Sequence, residues 1–102
     1  MTLREVLEDA ADLVGDEAPV AVAMDGAGVT TWSRGTDFAA LDAAGATAAF
    51  RLDPVLAGAA RRTPDVGASA RGAEWVEFRP AALDGHAIDR ATAWFLAALR
   101  RA

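Results

Sequence analysis

A chain of 102 residues buries roughly two thirds of its unfolded surface around one core and leaves no material for a second domain. With 53% hydrophobic and 25% charged residues it is excluded from the disordered class, whose low hydrophobicity cannot offset the entropy of ordering. The absence of cysteine excludes disulfides and thiolate chemistry, and the net charge of −5 gives the average field the wrong sign for sequence-independent attraction to nucleic acid.

The opening MTLREVLEDAADL carries acids where a secretory signal needs a basic flank followed by an apolar run, so a cytoplasmic location is expected. Thr2 and Glu5 form a Thr-x-x-Glu capping box. Leu3, Val6, Leu7, Ala10, Leu13 and Val14 then recur at helical spacing, which predicts a helix over residues 3–15 stopped by Gly15. After Pro19 the segment VAVAM runs to Asp25-Gly26, and VTTWS resumes after Gly28, which reads as a hairpin of two strands. Gly35 marks the next turn, DFAAL reads as a third strand, and ATAAFRL as a fourth.

Asp53-Pro54 joins an N-cap acceptor to a residue whose missing N–H costs nothing in a first helical turn, so a helix runs from Pro54 to about Arg62. Pro64 ends it, DVGASARGA reads as a polar loop, and EWVEFR is a strand with Val76 and Phe78 on one face. Pro80 stops that strand and Asp84 caps the last helix, where Ile88, Ala91, Thr92, Phe95 and Leu99 keep helical spacing. Arg100 and Arg101 stand at its negative pole. The expected fold is α+β: an antiparallel sheet of four to five strands in the order α-β-β-β-β-α-β-α, with the helices on one face. No stretch reaches the roughly 20 apolar residues that cross a bilayer.

The order of FAAL, FRLDP, RTPD, EWVEF and a closing helix resembles the MmcQ/YjbR-like family of small bacterial proteins. In that family a Phe-Ala strand precedes a strand ending in a helix cap, and a Trp-Val strand precedes the final helix. The matching positions here are Phe38-Ala39, Leu52-Asp53-Pro54 and Trp75-Val76, over roughly residues 35 to 102. Where the family commonly has Gly-Lys before the Phe-Ala strand, this chain has Gly35-Thr36-Asp37. The resemblance implies a compact α+β fold. Members are sometimes labelled DNA-binding proteins or compared in fold with frataxin, and no catalytic residue transfers.

Arg61, Arg62, Arg71 and Arg79 fall on a helix end, in the glycine-rich loop and at a strand end, and guanidinium forks recognise carboxylate or phosphate. They form a candidate anion site, against the alternative that Arg61 and Arg62 complement a helix terminus while Asp65, Glu74 or Glu77 pairs with the others. Glu5, Glu8, Asp9, Asp12 and Asp16 line one face of the first helix as an acidic ridge. That pattern suits hard cations but is also the outer face of any amphipathic helix, and no metal or cofactor is assigned to it. His86 has Asp84 or Asp89 beside it to orient it as a base, but no nucleophile accompanies it.

The seven aromatic side chains are read as core, and VTTWS and EWVEF as the sheet edges open to pairing with another chain. The leading expectation is a binding or interaction module without catalytic residues, its contact surface around the arginine-bearing segment 61–79, with a protein partner or a second copy as occupant. The alternative is an acidic-ligand protein or enzyme with a cleft near His86, Arg71 and Trp75. A DNA-binding role comes third.

Overall fold

The first helix forms because its cap and its stripe agree. In the computed structural model, which describes residues 1–15 and 19–102, α1 spans Leu3–Val14 and begins with a complete Thr2/Glu5 capping box. Glu5 N donates to Thr2 Oγ1 at 3.2 Å and Thr2 N donates to Glu5 Oε1 at 3.0 Å. These bonds satisfy two of the donors that every helix start leaves open. Gly15, at φ 54°, ends the helix.

Six strands follow among the described residues: β1 (Ala21–Met24), β2 (Thr30–Arg34), β3 (Thr36–Leu41), β4 (Ala48–Arg51), β5 (Val66–Ser69) and β6 (Gly72–Phe78). They form one antiparallel sheet in the order β1-β2-β3-β4-β6-β5. Between β4 and β5 lies α2 (Pro54–Arg61), whose N-cap Asp53 carboxylate accepts the N–H groups of Val55 and Leu56, both at 3.0 Å. The closing α3 (Gly85–Arg101) starts at Asp84, which accepts from Ala87 N at 2.9 Å.

Two expectations about the sheet are corrected. Segment 65–73, read as a polar loop, contains β5 and its hairpin turn into β6. Val66-Gly67-Ala68-Ser69 has one β-branched residue and no apolar alternation, so the strand is held by its ladder to β6 rather than by propensity. The sheet edges are β1 and β5, whereas VTTWS and EWVEF supply the interior strands β2 and β6. Thr30, Trp32, Val76 and Phe78 therefore occupy positions paired on both sides.

The helices α1, α2 and α3 contribute to a single core on one face of the sheet. Trp32, Phe38, Ala39, Leu41, Ala48, Phe50, Val76 and Phe78 meet Val6, Leu7 and Ala10 of α1, Ala57 and Ala60 of α2, and Ala91, Trp94, Phe95 and Leu99 of α3. Phe95 takes Trp32 and Phe38 edge-on at 5.9 and 5.2 Å, and Trp94 takes Phe78 edge-on at 5.2 Å, the arrangement aromatic quadrupoles favour. Six of the seven aromatics are thus core, and Trp75 stands outside it. Among the described residues no helix is long and apolar enough to cross a membrane.

Candidate functional site

Strand alternation places Trp75 and its neighbours on the face that the helices leave uncovered. Directly paired residues of an antiparallel ladder share a face, and Phe50 with Val76 and Ala48 with Phe78 point to the helices. Between them, Arg51 opposes Trp75, Ala49 opposes Glu77, and Ala40 opposes Ala49; Trp75, Glu77, Ala49 and Ala40 are directed to the other side. Ala40 and Ala49 are buried yet lie outside the main core. They form the floor of a hollow of about 210 Å³ whose walls are Val29, Asp42, Thr47, Arg71 and Glu77.

The β5–β6 hairpin delivers the charge. Ser69 pairs with Gly72, leaving Ala70 and Arg71 as a two-residue turn, and Arg71 N donates to Ser69 Oγ at 3.2 Å. The Arg71 guanidinium lies 5.3 Å from the centre of the Trp75 ring, a stacking contact worth about 0.5–1 kcal/mol at an exposed site. Glu77 is flanked across the ladder by Ala49 and Gly67, neither of which can reach its carboxylate. Among the described residues neither Arg71 nor Glu77 has an ion-pair partner. Asp42 is engaged, its Oδ1 accepting from Ala46 N at 2.8 Å and Thr47 N at 3.0 Å. Thr47 carries the one hydroxyl on the walls.

The other arginines of segment 61–79 do not join Arg71. Arg61 Nη2 donates to the Ala73 carbonyl at 2.7 Å and ties α2 to the start of β6. Arg62 is the exposed C-cap of α2. Arg79 borders a separate hollow of about 550 Å³ with Leu3, Gly45, Ala46, Pro80, Ala81 and Leu83. The acids expected to neutralise this group pair elsewhere or not at all: Glu74 binds Arg101 at 2.8 Å and Arg51 at 3.1 Å. Hydrogen bonds from Arg101 and then Arg51 hold the Glu74 carboxyl below the usual carboxylate range. Arg90, on α3, stacks 4.8 Å over Phe78 and donates to the Pro64 carbonyl at 3.1 Å, which ties the last helix to the loop before β5.

His86 sits exposed in the first turn of α3 and borders neither hollow, so it does not share a cleft with Arg71 and Trp75. On α1, Glu5, Glu8, Asp9 and Asp12 border a hollow of about 470 Å³ together with Ala11, Val22 and Trp32. Asp16, the last member of the expected ridge, lies outside the described residues. Among those described, no three acidic or histidine side chains are grouped to hold a metal ion.

The residues that sequence reasoning missed are Ala40, Ala49 and Glu77. Their signal was alternation: outward alanines at the facing positions Ala40 and Ala49 beside an outward Glu77 describe a shallow trough with a charged wall. Comparison with protein-family models, with curated proteins and with solved structures finds no match.

Proposed function

We propose that this chain is a small bacterial, cytoplasmic binding module without catalytic residues, and that its contact surface is the uncovered sheet face around Arg71, Trp75 and Glu77. The reading rests on one observation: Arg71 is held against Trp75 in the same hollow as Glu77, and neither charge is neutralised among the described residues. Glu77 is half-buried, a position at which a charge in a structural role is paired, and Arg71 stands exposed at the hollow's rim. Two unpaired opposite charges on the walls of one apolar-floored hollow suit a ligand that carries both a carboxylate and a cationic group. Arg71 offers the carboxylate a planar fork, and Glu77 accepts the cation. The resemblance to the MmcQ/YjbR-like family agrees with a role that transfers no catalytic residue. Its DNA-binding label does not enter this reading, because the arginines are dispersed over separate surfaces rather than gathered in a stripe.

Titration of 15N-labelled protein with glycine, acetate and inorganic phosphate tests the site. Saturable shifts at Arg71, Trp75 and Glu77 are expected, with glycine ahead of acetate and phosphate last because Glu77 repels a dianion. Arg71→Ala should remove the saturable response. Equal, non-saturating shifts in wild type and variant would end the reading.

A further inference from the structure

A second surface, on the opposite side of the sheet from Arg71, stands at the β1 edge. The two edges are unlike. β5 has α2 packed against it, whereas all four residues of β1 are exposed, with Val22 at 59% and Met24 at 61%. The sequence Ala21-Val22-Ala23-Met24 contains no charge and no proline, the residues that ordinarily protect an edge from pairing. Asp25 N donates to Val29 O at 3.0 Å, which sets the phase of the ladder. Ala21 and Ala23 exchange backbone bonds with β2, and Val22 and Met24 direct their N–H and C=O groups outward. Val22 and Met24 oppose Trp32 and Thr30, so their side chains lie on the helix side. There Val22 joins Glu5, Glu8, Asp9 and Asp12 around the hollow of about 470 Å³.

We infer that β1 is a docking edge for an extended basic peptide segment, which adds a seventh strand to the sheet. The free backbone groups of Val22 and Met24 supply the ladder. Alternate side chains of the added strand fall on the helix side, where arginine or lysine stems lie along Val22 and Met24 and their heads reach the carboxylates of α1. The other side of the added strand meets Ala21 and Ala23, which leave room for β-branched residues. A second copy of this chain is disfavoured as occupant, because two-fold pairing of β1 with itself brings two α1 acidic faces toward one another.

The test is fluorescence anisotropy with a labelled peptide of alternating arginine and valine, the same peptide N-methylated at alternate residues, and a glutamate-valine peptide. The arginine-valine peptide binds saturably, and the glutamate-valine peptide does not. N-methylation, which keeps the charge and removes the ladder donors, weakens binding about tenfold or more. Val22→Pro removes an outward N–H without touching a bond to β2 and weakens binding about tenfold as well. Glu8→Lys with Asp9→Lys abolishes it. Equal binding of the N-methylated and unmodified peptides overturns the inference in favour of attraction to the acidic face alone, whether or not Val22→Pro folds. Sedimentation showing a dimer that Val22→Pro returns to monomer overturns it in favour of a second copy.

Discussion

Phe38 meets Phe95 edge to face at a centroid distance of 5.2 Å, although Phe38 has no partner on β2. The ladder pairs Trp32 with Ala39 and Ser33 with Asp37, so Phe38 is the additional residue of a bulge, and the bulge turns it and Ala39 toward the helices together. Both are buried in the core. Phe38→Ala is expected to cost about 3–5 kcal/mol, read by urea unfolding. A double-mutant cycle of Phe38→Leu with Phe95→Leu should return a coupling of about 0.5–1.5 kcal/mol. Additive single losses would show that the ring geometry contributes nothing beyond buried area.

Gly28 and Ala43 join the turn after β1 to the turn after β3. Gly28 has φ +87°, and a Cβ there would stand 3.1 Å from the Ala43 Cβ. Two separate costs follow for Gly28→Ala: the left-handed conformation, about 1–2 kcal/mol, and the displacement of the neighbouring turn. Combining it with Ala43→Gly removes the second and leaves the first. Thermal unfolding should therefore show the double variant partly recovered. Full recovery would mean that the backbone conformation relaxes freely.

The helices and their caps were legible because their chemistry is local. Thr2 with Glu5, Asp53 with Pro54, and Asp84 each satisfy donors two or three residues away, and a linear reading sees that spacing. The ion pairs were not legible. Glu74 was expected to serve the arginines of its own segment, yet it binds Arg51 and Arg101, which only the folded sheet brings together. β5 escaped for a related reason, since Gly67 and Ala68 become strand through bonds to β6 rather than through their own preference. The pairing of Arg71 with Trp75 fell between these cases: both residues were singled out, but the face that joins them depends on which side the helices cover.

Asp65 is the one described non-glycine residue with positive φ, at 68°. It repays that strain by accepting twice, through its carbonyl from Arg79 N at 2.9 Å and through Oδ2 from Ala81 N at 3.2 Å, so it locks the entry to β5 against the exit of β6. Asp65→Asn keeps the acceptor and tolerates the conformation, and should stay within about 0.5 kcal/mol of wild type. Asp65→Val loses the side-chain bond and places a β-branched residue in the left-handed region, for a loss of about 2–3 kcal/mol. Similar stability for both variants would remove Asp65 from this role.

Glu74 makes the stability of α3 depend on pH. Arg101 in the last turn of α3, and then Arg51 on β4, favour its ionised form and lower its pKa in the folded state. A carboxyl lowered on folding contributes its stabilisation above its unfolded value, about 4.3, and loses it as the pH falls through the lower folded value. Glu74→Gln removes the charge at every pH. The gap between wild type and Glu74→Gln in urea unfolding should therefore be constant from neutral pH down to about 5, shrink below about 4.3, and close once wild-type Glu74 is protonated in the folded state. Both pairs are part exposed, so added salt should narrow the gap at neutral pH. Arg101→Ala should raise the pH at which the gap closes more than Arg51→Ala does, because Arg101 is the larger influence on Glu74. A gap that persists unchanged to pH 3 would show that Glu74 acts through packing rather than charge.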